Sequence, residues 1–267
     1  PNDFGVQGQL PSHPELLDWL AISFSENWDL KALFKKMVLS QTYQQQSLSN
    51  PTLDQKDPNN LLLARANSSR LPAEIIRDNA LKVSGLLNPK VGGESVHPYQ
   101  PKGLWKEKNN FSTFLIEYEE SEGEDLYRRG LYTFIRRTSP PPNMVTFDAT
   151  SREVCTVKRD VTSTPLQALV LLNDPQFFEA SRVFAERIIK SKDTLEDQIS
   201  HGFRLATARH PKENELEILV DLYNSQYQYF KQNRDKAYQV ISVGEKPRDK
   251  NIYSVQTAAM TMVANTL

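Results

Sequence analysis

Apolar residues recur at helical spacing along most of the chain, and this pattern predicts a mainly α-helical protein. The first two segments follow Ser12–Glu15, a capping sequence with Pro14 in its first turn, and Asp29, a second cap. The apolar positions of these segments are Leu16, Leu17, Leu20, Phe24, Leu30, Leu33, Phe34, Met37 and Val38. We expect a helical hairpin, followed by a polar surface loop over residues 41–60.

A third helix is predicted to begin at Pro72, which suits a first helical turn, and to run to about Leu87. Ile76, Ala80 and Val83 share one face of this helix with Leu87, so we expect that face to point inward. The helix closes the N-terminal helical part of the chain.

The middle of the chain has little helical periodicity, and we predict an irregular or β insert there. Three short runs have strand composition: Leu131–Ile135, Met144–Phe147 and Val154–Val157. The acidic stretch 117–125 is expected to form a solvated tip.

The clearest helix start is Thr164–Gln167, which combines a cap, a first-turn proline and a glutamine that can reach back to the cap. Its helix is predicted to be short, because Asn173-Asp174-Pro175 ends it and begins another. On that next helix we expect an inner face of Phe177, Ala180, Phe184 and Ile188, and an outer face of Arg182, Glu186 and Lys190. Two more helices, a charged linker over 231–251 and a last helix from near Tyr253 complete the prediction.

The predicted fold class is therefore mainly α, one helical domain with a small extended or β insert in its middle (about residues 90–160). Within residues 1–267 we expect N-terminal helices over 1–87, the insert over 88–160 and C-terminal helices over 161–267. We also expect the chain to be a fragment of a longer multidomain protein, because it opens and closes like the middle of one.

Composition narrows the classes of function. A net charge of −1 argues against a basic nucleic-acid-binding protein. No apolar run approaches the roughly 20 residues that a membrane-spanning helix needs. Cys155 is the only cysteine, which excludes an internal disulfide framework and an all-cysteine zinc site. We therefore expect no nucleic-acid partner and no membrane span.

Motifs of the common catalytic and cofactor sites are absent from the sequence. The chain has no GxSxG, no HExxH, no phosphate-binding P-loop, no GxGxxG and no CxxCH. The histidines His13, His97, His201 and His210 lack the local spacing of metal ligands. We expect no metal site and no cofactor in this part of the protein, and whether it is an enzyme stays open.

The strongest chemical signal is a cluster of six arginines, namely Arg128, Arg129, Arg136, Arg137, Arg152 and Arg159. Guanidinium groups suit carboxylate, sulfate or phosphate groups in a bidentate geometry, so Arg129, Arg136 and Arg159 are candidate anion-binding residues. The alternative, which we favour, is a structural network that ties the insert to the helices. The acids available for such a network are Glu74, Asp78, Asp148 and Asp174.

Glu74, Asp148 and Cys155 are the candidates for catalysis. Glu74 and Asp78 lie four residues apart on one predicted helix face, where paired carboxylates can act in acid–base chemistry. Neighbouring arginines would instead hold both carboxylates ionised in structural pairs. Cys155 is a candidate nucleophile beside Arg152, but a catalytic cysteine usually needs a histidine base, and none lies close along the chain. On a strand such a cysteine is more commonly buried and inert.

Six stretches carry a family resemblance: DFGVQG, SHPELLDWLA, RLPAEIIRDNAL, RRGLYTFIRRTSPPP, TFDATSREVCTVKRDVTSTPLQALVLLND and AAMTMVANTL. Together they resemble the planctomycete-type domain of unknown function fifteen fifty-three over nearly the whole chain. Thr162-Ser163-Thr164 departs mildly from the TNT of the family, and the cap is kept. The residues on motif positions are Arg129, Arg136, Asp148, Arg152, Cys155, Arg159, Gln167, Asn173 and Asp174.

The resemblance implies a cellular location and companion domains, and it implies no activity. Such domains lie toward the C-terminus of large exported bacterial proteins, after a companion domain and often a cytochrome-c-type haem module. They are often encoded beside sulfatase-like proteins. The resemblance therefore implies an extracytoplasmic (periplasmic or exported) location, with companion domains of the same protein as partners. Any haem would lie outside this chain, because the chain has no CxxCH.

Two functions remain. The first is a non-catalytic scaffold or interaction domain of a multidomain bacterial protein. The alternative is an enzyme or binding domain for an anionic or sulfated polysaccharide, in which Arg129, Arg136 and Arg159 bind the anion and Glu74 or Asp148 acts as the base. Electron transfer with a cytochrome c module would rest on family context alone.

Overall fold

The structure is a computed structural model that describes residues 5–48, 50–107 and 117–267. Its internal contacts divide the chain into two compact units, Pro1–Arg70 and Leu71–Leu267. The described residues are mainly helical, and this confirms the predicted fold class. The expectation of one domain over residues 1–267 stays a prediction.

The described residues of the first unit form three α-helices, α1 Pro14–Ser25, α2 Leu30–Val38 and α3 Pro51–Lys56. The predicted cap of α2 is confirmed, because Asp29 Oδ1 accepts a hydrogen bond from the backbone N–H of Ala32 at 3.0 Å. Helix α3 lies inside the segment predicted as a loop. Its cap is Asn50, which accepts a hydrogen bond from the backbone N–H of Leu53 at 2.9 Å. No residue of these three helices is buried.

The second unit is built from nine helices in its described residues: α4 Ala73–Ser84, α5 Leu104–Glu107, α6 Pro142–Thr146, α7 Pro165–Asn173, α8 Pro175–Ile189, α9 Leu195–Thr207, α10 Glu213–Gln232, α11 Arg234–Ile241 and α12 Ser254–Thr266. The start of α7 is as predicted, with Gln167 Oε1 accepting from the backbone N–H of Thr164 at 3.3 Å. Helix α11 lies in the segment predicted as a linker. It is folded because Ala237 and Ile241 are buried in the hydrophobic core.

Helix α12 forms the centre of that core. It carries no charged residue, and Val255, Ala258, Met260 and Val263 are each 0% exposed. The helix packs against α8, α10 and α11. Full burial of one such valine or methionine side chain contributes about 1.5–3 kcal/mol, so α12 anchors the C-terminal half of the unit.

Helix α8 packs against both α12 and α4. The prediction that its charged residues point outward was wrong for Arg182 and Glu186, which are 0% and 8% exposed. Because two helices cover α8, its polar side chains avoid uncompensated desolvation only by pairing. Arg182 donates to Glu186 Oε1 at 3.0 Å and to the backbone carbonyls of Val243 and Lys246. Lys190 is exposed, as predicted.

The buried face of α4 differs from the predicted one. Ile76, Ala80 and Val83 are only partly buried, and the fully buried residues are Ala73, Arg77, Asp78, Leu81 and Ser84. The helix ends where Gly85 takes a left-handed backbone conformation with φ of 88°. Arg77 and Asp78 are buried because the insert packs over them and pairs with both side chains.

The insert is extended but forms little sheet. Its described residues pair only through two isolated parallel bridges, Asn88 with Arg128 and Val96 with Thr133. Two 3-10 turns shape the chain around Arg128, Gly123–Tyr127 before it and Gly130–Tyr132 after it. Side chains must therefore hold most of this segment in place.

The three predicted strands are not formed as predicted. Leu131–Ile135 contributes only one bridge residue, and Val154–Val157 forms no strand. Met144–Phe147 instead forms the last residues of α6 and its C-terminal cap. Pro142 occupies the first turn of this helix. Met144 and Phe147 are buried in a small cluster with Ala73 and Phe177.

Candidate functional site

Arg77 joins α4 to the insert and to α8. The residue is 3% exposed. Its Nε donates to Gln176 Oε1 at 2.8 Å and its Nη2 donates to the backbone carbonyl of Leu126 at 2.8 Å. Its Nη1 donates to the backbone carbonyl of Arg128. Burial lowers the pKa of Arg77 to about 10, and the charge of Asp78 opposes this, so the guanidinium stays positive at neutral pH. Arg77 lies outside the cluster of six arginines between residues 128 and 159.

Arg128 organises the loop before it. The residue is 2% exposed, and its guanidinium donates to the backbone carbonyls of Lys90, Gly92 and Glu94. The same group lies 3.9 Å from the ring centroid of Tyr132, a cation–π geometry. Arg128 therefore holds backbone groups that the insert would otherwise leave without partners.

Arg129 pairs with Asp78 on α4. Its Nε lies 2.9 Å from Asp78 Oδ2, while Asp78 Oδ1 accepts from the backbone N–H of Gly130 at 2.6 Å. Gly130 packs directly on the helix, since a Cβ there would lie 2.9 Å from both the Cα and the carbonyl oxygen of Glu74. Asp78 thus fixes the turn that carries Arg129.

Arg159 pairs with Glu74, one helical turn before Asp78. The two guanidinium–carboxylate distances are 2.6 and 3.1 Å, which is a bidentate pair. Burial, the largest single effect, raises the pKa of Glu74, but the hydrogen bond from Arg159, a backbone hydrogen bond and the charges of Arg159 and Arg152 together outweigh it, and the net effect lowers that pKa. Glu74 is therefore ionised at neutral pH, which suits a structural partner or a base and not a general acid.

Arg136 lies in different surroundings. Its Nε donates to Thr138 Oγ1 at 3.1 Å, and its guanidinium lies 5.2 Å from the ring centroid of Trp105. Arg129 and Arg159 thus pair with two acids that lie one helical turn apart on α4, whereas Arg136 has other partners. The assignment of these three residues to anion binding stays a prediction.

Asp148 closes the loop that follows α6. Its backbone is left-handed, with φ of 58°, and its carboxylate accepts from the backbone N–H of Thr162 at 2.8 Å and from the Thr162 hydroxyl. Gln167 donates to Thr162 and to the carbonyl of Thr146, which ties the same loop to α7. These contacts are structural, and a role for Asp148 as a base stays a prediction.

Cys155 is exposed, and the expectation of a buried cysteine on a strand was wrong. The loop around it, residues 151–159, is exposed throughout except for Arg159, because no strand pairing or apolar packing buries it. Among the described residues, no group of three or more histidine, cysteine, aspartate or glutamate side chains could hold a metal ion.

A second buried polar group, which no sequence motif predicted, surrounds Glu179 of α8. Glu179 is 1% exposed and accepts from the hydroxyls of Tyr99 and Tyr127, both at 2.9 Å, and from the backbone N–H of Lys246 at 2.7 Å. Burial and the charge of Glu179 raise the pKa of both tyrosines. The group joins α8 to the insert and to the loop before α12. The sequence signal that could have predicted it is the i,i+3 spacing of Glu179 and Arg182 on a helix with an apolar face.

Four rings of the insert form an aromatic group: His97, Trp105, Tyr118 and Phe134. Their centroids lie 5.0–6.1 Å apart in mostly edge-to-face contacts. Burial lowers the pKa of His97, so the ring is neutral at pH 7.

A cavity of about 1170 Å³ lies beside the aromatic group. Trp105 and Tyr118 line it, together with Gln100, Tyr99 and the acidic stretch that the sequence placed at a solvated tip. None of the six clustered arginines is among the described residues that line it. Arg136 nevertheless contacts the cavity wall through Trp105, whereas the pairs of Arg129 with Asp78 and of Arg159 with Glu74 involve no lining residue.

Comparison with known proteins identifies a family. No curated protein and no solved structure matches the chain. No helix in the described part of the chain is both long and apolar enough to cross a lipid bilayer. The model of the family PSD1, described as a protein of unknown function (DUF1553), matches residues 1–223. The match confirms the family that the motifs predicted, while the bacterial group and the cytochrome module stay predictions. Because the match spans most of the 267 residues, the chain belongs to the PSD1 family of proteins of unknown function (DUF1553).

Proposed function

We propose that this chain is a non-catalytic scaffold or interaction domain of a multidomain, extracytoplasmic bacterial protein. The observation that carries the proposal is the pairing of Arg159 with both carboxylate oxygens of Glu74. The candidate catalytic carboxylate and a candidate anion-binding arginine are thus each other's partners. A pair of this geometry positions the chain and leaves neither group free for a substrate.

Arg77 and Arg128 support the same proposal. Both are buried, and both direct their guanidinium groups to backbone carbonyls of the insert. Such contacts compensate for the sheet that the insert lacks, because buried carbonyl groups need donors. The extracytoplasmic location and the companion domains rest on the family resemblance, since proteins with these motifs are typically exported.

The test compares Glu74→Gln and Arg159→Met with the unchanged chain. The scaffold role predicts a loss of about 1 kcal/mol in the free energy of unfolding, a figure that allows for solvent screening at the half-exposed Arg159. It also predicts unchanged turnover of neutral and sulfated polysaccharides by the protein that contains this chain. A tenfold loss of turnover with an unchanged free energy of unfolding would overturn the proposal.

Recognition of an anionic or sulfated polysaccharide is the second candidate. It is favoured by Arg129, whose side chain is 46% exposed and whose Nη atoms have no partner among the described residues. Arg159, 35% exposed, lies one helical turn away along α4 through its own partner. Two neighbouring guanidinium groups suit a sulfate ester.

A binding screen against sulfated glycans tests this candidate. Arg129→Ala and Arg159→Ala should each weaken binding at least tenfold, whereas Arg209→Ala should not. Arg209 is the matched control, because it forms a bidentate pair with Glu215 at 2.7 Å outside the network. Absence of binding, or equal binding by all variants, removes this candidate and leaves the scaffold role untouched.

A further inference from the structure

Helix α2 of the first unit exposes an apolar stripe. Leu30, Phe34, Met37 and Val38 recur at positions i, i+4, i+7 and i+8, which places them on one face of the helix. Each of these side chains is 43–59% exposed, and within the first unit taken by itself the exposure is at least this large. The apolar face of a helix is normally packed against another element, so the stripe indicates a surface that binds a partner.

The hairpin of α1 and α2 is held together by other residues. Phe24 of α1 and Leu33 of α2 are half-buried, as expected for the inner side of a hairpin. Lys36 joins the two helices, because its Nζ donates to Ser23 Oγ and lies 5.3 Å from the ring centroid of Trp19. None of these contacts uses the stripe. A partner can therefore bind the stripe without opening the hairpin.

The two helices of the hairpin carry opposite charges. The charged residues of α1 are Glu15 and Asp18, and those of α2 are Lys31, Lys35 and Lys36, all of them exposed. A two-fold dimer brings the same surface of both copies together, so α1 of one copy can lie against α2 of the other. An acidic helix then faces a basic helix twice, and such complementarity favours association and fixes its register.

The hairpin also has the apolar area that a dimer contact needs. Between residues 16 and 39, ten large apolar side chains are 43–71% exposed, which amounts to on the order of 500 Å². A standard interface takes about 800 Å² from each partner, and roughly 60% of that area is apolar. The exposed apolar area of one hairpin is therefore of the size that one side of a stable dimer supplies.

An anionic membrane surface fits the hairpin less well. Residues 14–39 contain four acidic residues and three lysines, a net charge of −1. Helices that lie on membranes carry mainly lysine and arginine on their polar face. Anionic headgroups would repel Glu15 and Asp18, whereas the lysines of a second copy attract them.

We propose that the α1–α2 hairpin binds the hairpin of a second copy of this chain and forms a four-helix bundle with it. The stripe of α2 packs against α1 of the other copy, and Glu15 and Asp18 lie beside Lys31 and Lys35 of that copy. Helices joined by short loops pack in this way in four-helix bundles. The inference rests on the interaction role proposed above and names a second copy as the partner.

Sedimentation equilibrium of the full chain from about 1 to about 200 µM tests the proposal, since interfaces of this size reach from micromolar affinity to much tighter binding. We expect a monomer–dimer equilibrium. Phe34→Lys should weaken dimerisation at least tenfold, because it places a charge in the apolar contact. Ile218→Lys is the matched control, because Ile218 is 65% exposed on α10, and it should leave dimerisation unchanged. Circular dichroism should show the same helix content in both variants.

Charge reversal tests the pairing of α1 with α2 of the other copy. One variant carries Glu15→Lys and Asp18→Lys, so both of its helices are basic. The other carries Lys31→Glu and Lys35→Glu, so its α1 and α2 both carry exposed acids. Each variant alone should be monomeric because its helices repel those of a second copy, whereas an equimolar mixture should form a heterodimer.

A monomer over the whole concentration range, a dimer that Phe34→Lys does not weaken, or a mixture that fails to associate overturns the proposal. Binding of a monomeric chain to phosphatidylglycerol vesicles would also overturn it and would assign the stripe to a membrane surface. A monomeric chain that still loses stability on Glu74→Gln removes only the second copy as the partner, and it leaves the proposed interaction role in place.

Discussion

Arg159 donates to both carboxylate oxygens of Glu74, a residue 85 positions earlier in the chain, at 2.6 and 3.1 Å. The pair joins the exposed loop after α6 to the buried side of α4. It also makes two candidates for ligand chemistry each other's partners. The same geometry makes the pair sensitive to pH, and this sensitivity can be measured.

We expect the stabilisation from the Glu74–Arg159 pair to be lost in acid. The folded-state pKa of Glu74 is lowered, so below the unfolded value of about 4.3 the unfolded chain takes up the proton first. The contribution is therefore present above that pH and declines as the pH falls through the lowered folded-state value. Urea unfolding between pH 3 and pH 7 should show that Glu74→Gln destabilises at pH 7 and much less at pH 3. Glu217→Gln, on the exposed face of α10, should show no such trend; an equal trend in both variants would contradict the assignment.

Gly244 should tolerate no side chain. Its backbone is left-handed, with φ of +89°, and a Cβ would lie 2.1 Å from Cδ of the buried Glu179. Gly244→Ala should lower the free energy of unfolding by more than about 3 kcal/mol, through overpacking and backbone strain together. Gly92 has φ of +79° but open space around it, so Gly92→Ala should lose only about 1 kcal/mol. Similar losses in the two variants, measured by urea unfolding, would show that the contact with Glu179 is unimportant.

Arg182→Met should be strongly destabilising. Arg182 is the cationic partner of two buried carboxylates, at 3.7 Å from Glu179 and 3.0 Å from Glu186. Removing it leaves buried negative charge uncompensated, a loss of about 3–5 kcal/mol in the free energy of unfolding. Arg209→Met, which breaks the exposed pair with Glu215, should change that free energy little. Equal thermal unfolding temperatures for the two variants would argue against the buried pairing.

Cys155 should react with a thiol reagent in the native protein. Its exposure predicts that a colorimetric disulfide reagent modifies one thiol per chain without denaturant. Addition of denaturant should release no further thiol, because the chain has no second cysteine, and Cys155→Ser should give no signal. A thiol that reacts only after unfolding would restore the original expectation of a buried cysteine.

The sequence by itself determined the features that depend on neighbouring residues. Asp29 caps α2 and Thr164–Gln167 begins α7, because a cap bonds to backbone groups within three residues of it. The helical class follows from the same local signals, and the family follows from motif residues in their order. The sequence also favoured arginine–acid pairing, and Glu74 and Asp78 were among the partners named.

Only the tertiary structure decided which polar residues are buried. The helical spacing of Arg182 predicts an exposed side chain, yet α4 and α12 pack over its helix and bury it. Both of these helices are distant from Arg182 in the sequence. Glu179 and Gly244 meet because a loop more than sixty residues later packs on α8, and Trp105 and Phe134 meet because the insert folds back on itself. Periodicity records the average environment of a helix face, whereas burial depends on distant segments that pack against it.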